Sequence, residues 1–104
     1  MKESFTEIRV KVMAWAEARN LIKGSTVKDQ TIKLMEEVGE LAKHIGKGDH
    51  EKAKDDIGDM LVVLALIANY IGTTPEECYA IAYGEIKDRK GRMVNGTFVK
   101  EADL

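Results

Sequence analysis

The sequence is poor in the residues that would tie it to several large classes of protein. It holds one cysteine, Cys78, so no disulfide can form within the chain, and a reducing, cytoplasmic home is expected. One proline and an aromatic share of 6% lean away from a strand-rich fold. There is no surplus of either charge: 16 Lys and Arg stand against 18 Asp and Glu, for a net charge of −2. That balance excludes a general binder of nucleic-acid polymers, which would carry a basic excess. No apolar run approaches the roughly 20 residues that a bilayer crossing needs, the richest being Met60 to Ala68 with Tyr70 and Ile71 beyond it. No signal-peptide stretch precedes the first helical pattern, and a soluble protein without a membrane partner is expected. The two histidines, His44 and His50, have neither the spacing to Cys78 of a zinc site nor a glutamate three residues before them, as di-iron bundles require. Gly46-Lys47-Gly48 lacks the rest of a phosphate loop and reads as a helix stop.

What the sequence does have is helical periodicity over one domain's length, residues 1–104. Phe5, Ile8, Val12 and Trp15 mark a first helix, interrupted by Gly24. A second opens after Ser25 or Thr26 and runs to Ile45, and a third starts near Asp49 and reaches Ile71-Gly72. The fourth has Thr74 as cap, Pro75 at its first position and Glu77 to complete a capping box, fading around Arg89 to Gly91. Beyond it, Asn95-Gly96 between two short β-prone pieces gives a small hairpin or an extended tail. The predicted fold is an all-α helical bundle of about four helices per chain with a short extended C-terminal tail.

The second and third helices repeat one layout. At about 100° per residue, with Glu36 at 0°, Glu40 falls near 40°, Lys33 near 60°, His44 near 80° and Glu37 near 100°. Leu34, Val38, Leu41 and Ile45 form the core stripe around 140–200°, roughly opposite Glu36. On the third helix, with Asp55 at 0°, Asp59 lies near 40° and Asp56 near 100°, beside a stripe of Ile57, Met60 and Leu64. Two acid pairs, Glu37/Glu40 and Asp56/Asp59, therefore border apolar stripes, and antiparallel packing would let them face each other. They read either as ordinary solvated helix faces or as a cation site. Carboxylates about 5 to 6 Å apart repel by roughly 3 kcal/mol at an effective dielectric near 20, which a semi-buried group of four tolerates poorly without a cation. After Asp59 the third helix is apolar on every side, which predicts burial against a second subunit and places the acids at the mouth of a dry interior. Oxygen-only ligands there suit Mg²⁺, with Mn²⁺ as a substitute.

The segments Lys33-Leu34-Met35-Glu36-Glu37-Val38-Gly39-Glu40-Leu41 and Asp55-Asp56-Ile57-Gly58-Asp59-Met60-Leu61 resemble the MazG-like branch of the all-α nucleoside triphosphate pyrophosphohydrolases. The signature of that superfamily is Glu-x-x-Glu, a spacer, then Glu-x-x-Asp; here Asp56 stands where Glu is usual. The resemblance covers Gln30 to about Arg92. It implies Mg²⁺-dependent hydrolysis of a nucleoside triphosphate to the monophosphate and pyrophosphate by a homodimer or homotetramer. It further implies metal held by Glu37, Glu40, Asp56 and Asp59, which would activate the attacking water. Glu36 is the candidate general base, or else a solvated partner of Lys33 or Lys43. Lys33 either contacts phosphate or neutralises the acids. Of the basic cluster leaving the fourth helix, Lys87, Arg89 and Arg92 are candidates to hold phosphate, although cations also suit a helix C-terminus. Trp15 and Gln30 could line a base pocket, with plain core as the other reading of Trp15.

The small net charge hides two poles. Glu36 to Asp59 holds eight acids against four bases, and Lys87 to Lys100 holds five bases against one acid. A metal at the first pole beside cations from the second is what a triphosphate would need. A non-catalytic helical oligomer that binds nucleotide or a protein through a degenerate site is the competing expectation.

Overall fold

The computed structural model describes residues 2–104 and contains four α-helices, a β-hairpin and a terminal 3₁₀ turn: α1 (Phe5–Ala18), α2 (Val27–Gly46), α3 (His50–Tyr70), α4 (Pro75–Ile86), β1 (Gly91–Val94), β2 (Thr97–Lys100) and a last turn at Glu101–Asp103. Each helix starts on a side chain that accepts from the first-turn amides: Ser4, Thr26, Asp49 and Thr74. Such a cap contributes on the order of 1 kcal/mol. At α1 the box is closed in both directions, with Ser4 and Glu7 bonding each other's backbone. At α4 the expected box is half made, for Thr74 Oγ1 accepts from the Glu77 amide with no return bond from the Glu77 side chain.

Three helices end in the same way. After α1, α2 and α3 the chain turns through a left-handed residue, Asn20 (φ 60°), Gly48 (φ 71°) and Gly72 (φ 79°) respectively. The following amide reaches back to a carbonyl of the last turn: Leu21 to Ala16 (2.9 Å), Asp49 to His44 (2.9 Å) and Thr73 to Ala68 (2.9 Å). This is the Schellman closure, and after glycine it is asparagine that most readily takes the left-handed position. Asn20 therefore stops α1 at Ala18, earlier than Gly24, and α4 likewise ends at Ile86 rather than near Arg89.

Only Lys47, Gly48 and Asp49 separate α2 from α3, so the two must run antiparallel as a helical hairpin, and they form the most extensive packing in the molecule. The Tyr70 hydroxyl donates to the Leu21 and Ile22 carbonyls (2.9 and 2.7 Å), fastening the end of α3 under the α1–α2 connection. Arg9 and Glu76 join α1 to α4 at 2.6 Å. The strands β1 and β2 pair in antiparallel register, Arg92 opposite Val99 and Met93 opposite Phe98, around Asn95 (φ 49°) and Gly96 (φ 82°). The hairpin packs chiefly on itself and on the last turn.

The core is thin. Its buried apolar members are Ala16, Ala53, Val63, Ala65, Leu66 and Ala68, and no large side chain among the described residues is fully buried. α4 contributes no buried residue, and Tyr79 is 81% exposed. On α3, the apolar half after Asp59 is covered on one side while Leu61 and Leu64 remain open. The accessible surface is 8030 Å², against about 5,800 Å² for a compact monomer of 11.6 kDa. The radius of gyration, 16.5 Å, likewise exceeds the roughly 13 Å of a compact chain this long.

Candidate functional site

The antiparallel α2–α3 hairpin brings the two acidic segments face to face. Glu37 and Asp59 stand at equal distances from the loop, and carboxylate oxygens of Glu37, Asp56 and Asp59 all lie within 4.8 Å of one another. The helical phase explains the choice. Glu37 and Asp56 lie on the flanks of the core stripes and are pulled inward, Glu37 to 13% side-chain exposure and Asp56 to 6% residue exposure. Glu40, a further 60° or so from the stripe, stays exposed and outside the trio. Glu36 is also exposed.

The trio is under electrostatic load. Partial burial of the Asp59 carboxyl raises its pKa above the ordinary 3.8, and the charges of Asp55, Glu37 and Asp56 push it the same way, with Lys33 in opposition. Lys33 lies 3.4 Å from Glu37 and 3.7 Å from Glu36. Its hydrogen bond to Glu37, then the Glu37 and Glu36 charges, raise its own pKa, so this ammonium neutralises part of the cluster in the ligand-free protein. The sequence reading had no role for His44, yet its Nδ1 lies 2.6 Å from Asp56 Oδ2, with both side chains largely buried. The signal in the sequence is its phase, on the same arc as Lys33 and Glu37.

The donor set is all oxygen, as Mg²⁺ or Mn²⁺ prefers. Their mutual spacing, within 4.8 Å, would let the three carboxylates hold one such ion between them. Glu37, Asp56 and Asp59 thus fit a hard divalent cation.

Beside the trio, Asp59 lines a groove of 440 Å³ together with Trp15, Val12, Val62, Ile8 and Lys11. Trp15 is not core: it is 45% exposed, and the Arg19 guanidinium sits 4.8 Å from its ring centroid. Gln30 is buried, and its Nε2 donates to Ser25 Oγ (3.0 Å), so its amide serves the α1–α2 connection. Lys87 caps α4, while Arg89 and Arg92 lie at the approach to and inside β1. Among the described residues none of these three forms an ion pair. α4 packs chiefly on α3, and the hairpin on itself, so the chain does not draw the basic pole onto the acids. Among the described residues no single helix is long and apolar enough to cross a membrane.

Comparison with known proteins agrees with the geometry. The family described as the MazG nucleotide pyrophosphohydrolase domain matches residues 26–82, which include the whole α2–α3 hairpin and its acids. An uncharacterized 18.2 kDa protein from the rep-hol intergenic region of Haemophilus phage HP1 (strain HP1c1) is 46% identical over 65 residues. That match covers 61% of this chain and 40% of the phage protein, so the chain corresponds to less than half of its relative's length. No solved structure matches.

Proposed function

Because the chain belongs to the MazG nucleotide pyrophosphohydrolase domain family, we propose that it hydrolyses a nucleoside triphosphate to the monophosphate and pyrophosphate with the help of Mg²⁺. One observation carries this reading: the convergence of Glu37, Asp56 and Asp59 from two helices onto one point at the edge of a groove. These three would hold the ion, with Glu40 one turn further along α2 as a ligand that joins when substrate is present. When bound, a divalent cation polarises phosphate oxygens and lowers the pKa of the attacking water. Glu36, exposed beside the trio, would take the proton of that water. Lys33 exchanges its carboxylate partners for phosphate oxygens, and Lys87, Arg89 and Arg92 hold the rest of the triphosphate. The open side of Trp15 offers a stacking surface for the base, and the groove beside Asp59 is its place.

The second partner is another copy of this chain, in a homodimer or a homotetramer built from dimers. The surface in excess of a compact monomer is about 2,200 Å², within what each subunit of an obligate homodimer buries. Exposed large apolar side chains occur along the whole chain, from Trp15, Met35 and Ile45 to Leu61, Leu64, α4 and the hairpin. Docking a second copy there would also bring a basic pole toward an acidic one. With a lone exposed Cys78 and no spanning helix among the described residues, the cytoplasm is the compartment that fits.

The test is incubation with each canonical and modified NTP plus Mg²⁺ and separation of the products. Monophosphate with pyrophosphate is expected. Diphosphate with orthophosphate would overturn cleavage between the α- and β-phosphates, and no turnover with either Mg²⁺ or Mn²⁺ would leave a nucleotide-binding module in its place.

A further inference from the structure

We infer that His44 is a positioning residue of the cation site, holding the Asp56 carboxylate in the orientation that lets its second oxygen join Glu37 and Asp59. The inference rests on the divalent-cation reading above and goes one layer outward from it. Asp56 is among the most buried polar residues of the chain and stands beside two like charges. A carboxylate in that position needs a donor, because an unsatisfied buried charge is costly. Lys33 spends its ammonium on Glu36 and Glu37. Among the described residues the donor found for Asp56 is His44, across the helical hairpin at 2.6 Å. A carboxylate oxygen only accepts, which places a ring proton on Nδ1.

The backbone that carries the ring is fixed by the helix end. His44 lies in the last turn of α2, and its carbonyl accepts from the Asp49 amide at 2.9 Å in the closure that ends the helix. Gly48 in its left-handed conformation makes that closure possible. The loop geometry thereby sets the height of the imidazole, and the imidazole sets Asp56. Oδ2 is committed to His44, and the other oxygen remains for the ion. Donors behind a ligating carboxylate are typically worth about 10- to 100-fold in metal affinity.

The experiment is a titration of the purified full-length protein with Mn²⁺, read by the electron paramagnetic resonance signal of the free ion, for the native chain and for His44→Asn and His44→Gln. Asparagine carries its amide nitrogen at about the position of Nδ1, and glutamine carries it near Nε2. His44→Asn is expected to bind Mn²⁺ within a few-fold of the native chain, and His44→Gln about 10- to 100-fold more weakly, with helicity unchanged in both. Equal affinities for the native protein and His44→Gln would overturn the positioning role and leave the cation site standing. So would equal losses in the two variants, which would make the residue structural. A native protein that does not bind Mn²⁺ would overturn the cation site itself and this inference with it.

Discussion

The α2–α3 hairpin and the α4–β-hairpin segment are both rich in apolar and charged residues, and they end in opposite conditions. In the first, two antiparallel helices pack along their length across a three-residue loop and every terminus is capped, although Val38, Ile45 and Ile57 of the expected core stripes stay exposed. Charge there is answered within the chain: Lys33 on Glu37, His44 on Asp56. In the second, Tyr79, Ile81, Tyr83 and Ile86 face outward and Lys87, Arg89 and Arg92 have no ion-pair partner among the described residues. The contrast teaches that one chain gathers its acids and leaves its basic cluster apart from them; under the proposed function the two are halves of one site. In the proposed assembly a second copy brings them together.

The largest expected effect comes from breaking the finished half. Glu37→Gln and Asp59→Asn should each lower pyrophosphohydrolase activity by about 10²- to 10³-fold, several kcal/mol of transition-state stabilisation, with helicity by circular dichroism and the elution volume preserved. Retained activity in either would remove that residue from the site.

Breaking the unfinished half should act through assembly. Ile86→Glu sets a charge on the exposed apolar face of α4, and size-exclusion chromatography with light scattering should show the loss of the oligomer. The native protein's thermal midpoint should rise with protein concentration, as it does when the folded form is a complex. A midpoint independent of concentration would contradict self-association.

The ion pair that ties α4 to α1, Arg9 to Glu76, has a definite pH sense. The hydrogen bond from Arg9 holds the Glu76 carboxyl below its ordinary 4.5, with further help from its own amide and Thr6. A lowered carboxyl pKa stabilises the fold fully above the ordinary value and loses that contribution as pH falls through the folded one. Thermal midpoints should therefore drop more steeply below pH 4.5 in the native chain than in Glu76→Gln. Asp59 has the opposite sense: its raised pKa means that the metal-free fold loses stability as pH climbs through 3.8 and beyond. Asp59→Asn, nearly inactive, should then melt no lower than the metal-free native protein at neutral pH, by a margin kept small because the group is exposed, and added Mg²⁺ should raise the midpoint of the native chain only.

The smallest effect belongs to Gly39, on the exposed side of α2 with open space around it. Gly39→Ala should stabilise the hairpin by about 0.5–1 kcal/mol in urea unfolding, from helix propensity alone.

Much of this was legible in the sequence because it is local. The cap at Thr74, the helix starts after Ser25 or Thr26 and near Asp49, the stop at Gly46-Lys47-Gly48 and the turn at Asn95-Gly96 all depend on residues within a few positions. Helical phase sets the pairs Glu37/Glu40 and Asp56/Asp59 to face each other under the antiparallel packing that the short loop imposes, whereas the structure gathers Glu37, Asp56 and Asp59 and leaves Glu40 outside. Asn20 as the end of α1 was not read, since asparagine enters the left-handed region less often than the glycine that drew attention further on. His44 required knowing which residue lay across the hairpin, and Trp15 required knowing that α1 leaves a groove against α3 instead of closing over it. Those are tertiary facts, and no periodicity carries them.

The most direct test of the acidic site as a catalytic one is ³¹P nuclear magnetic resonance of the purified protein with a nucleoside triphosphate and Mg²⁺. Pyrophosphate and monophosphate signals growing together, and failing to appear when chelator is added or Glu37 is replaced by Gln, are the expected result. Orthophosphate with nucleoside diphosphate, or pyrophosphate release that persists without a divalent cation, would contradict it.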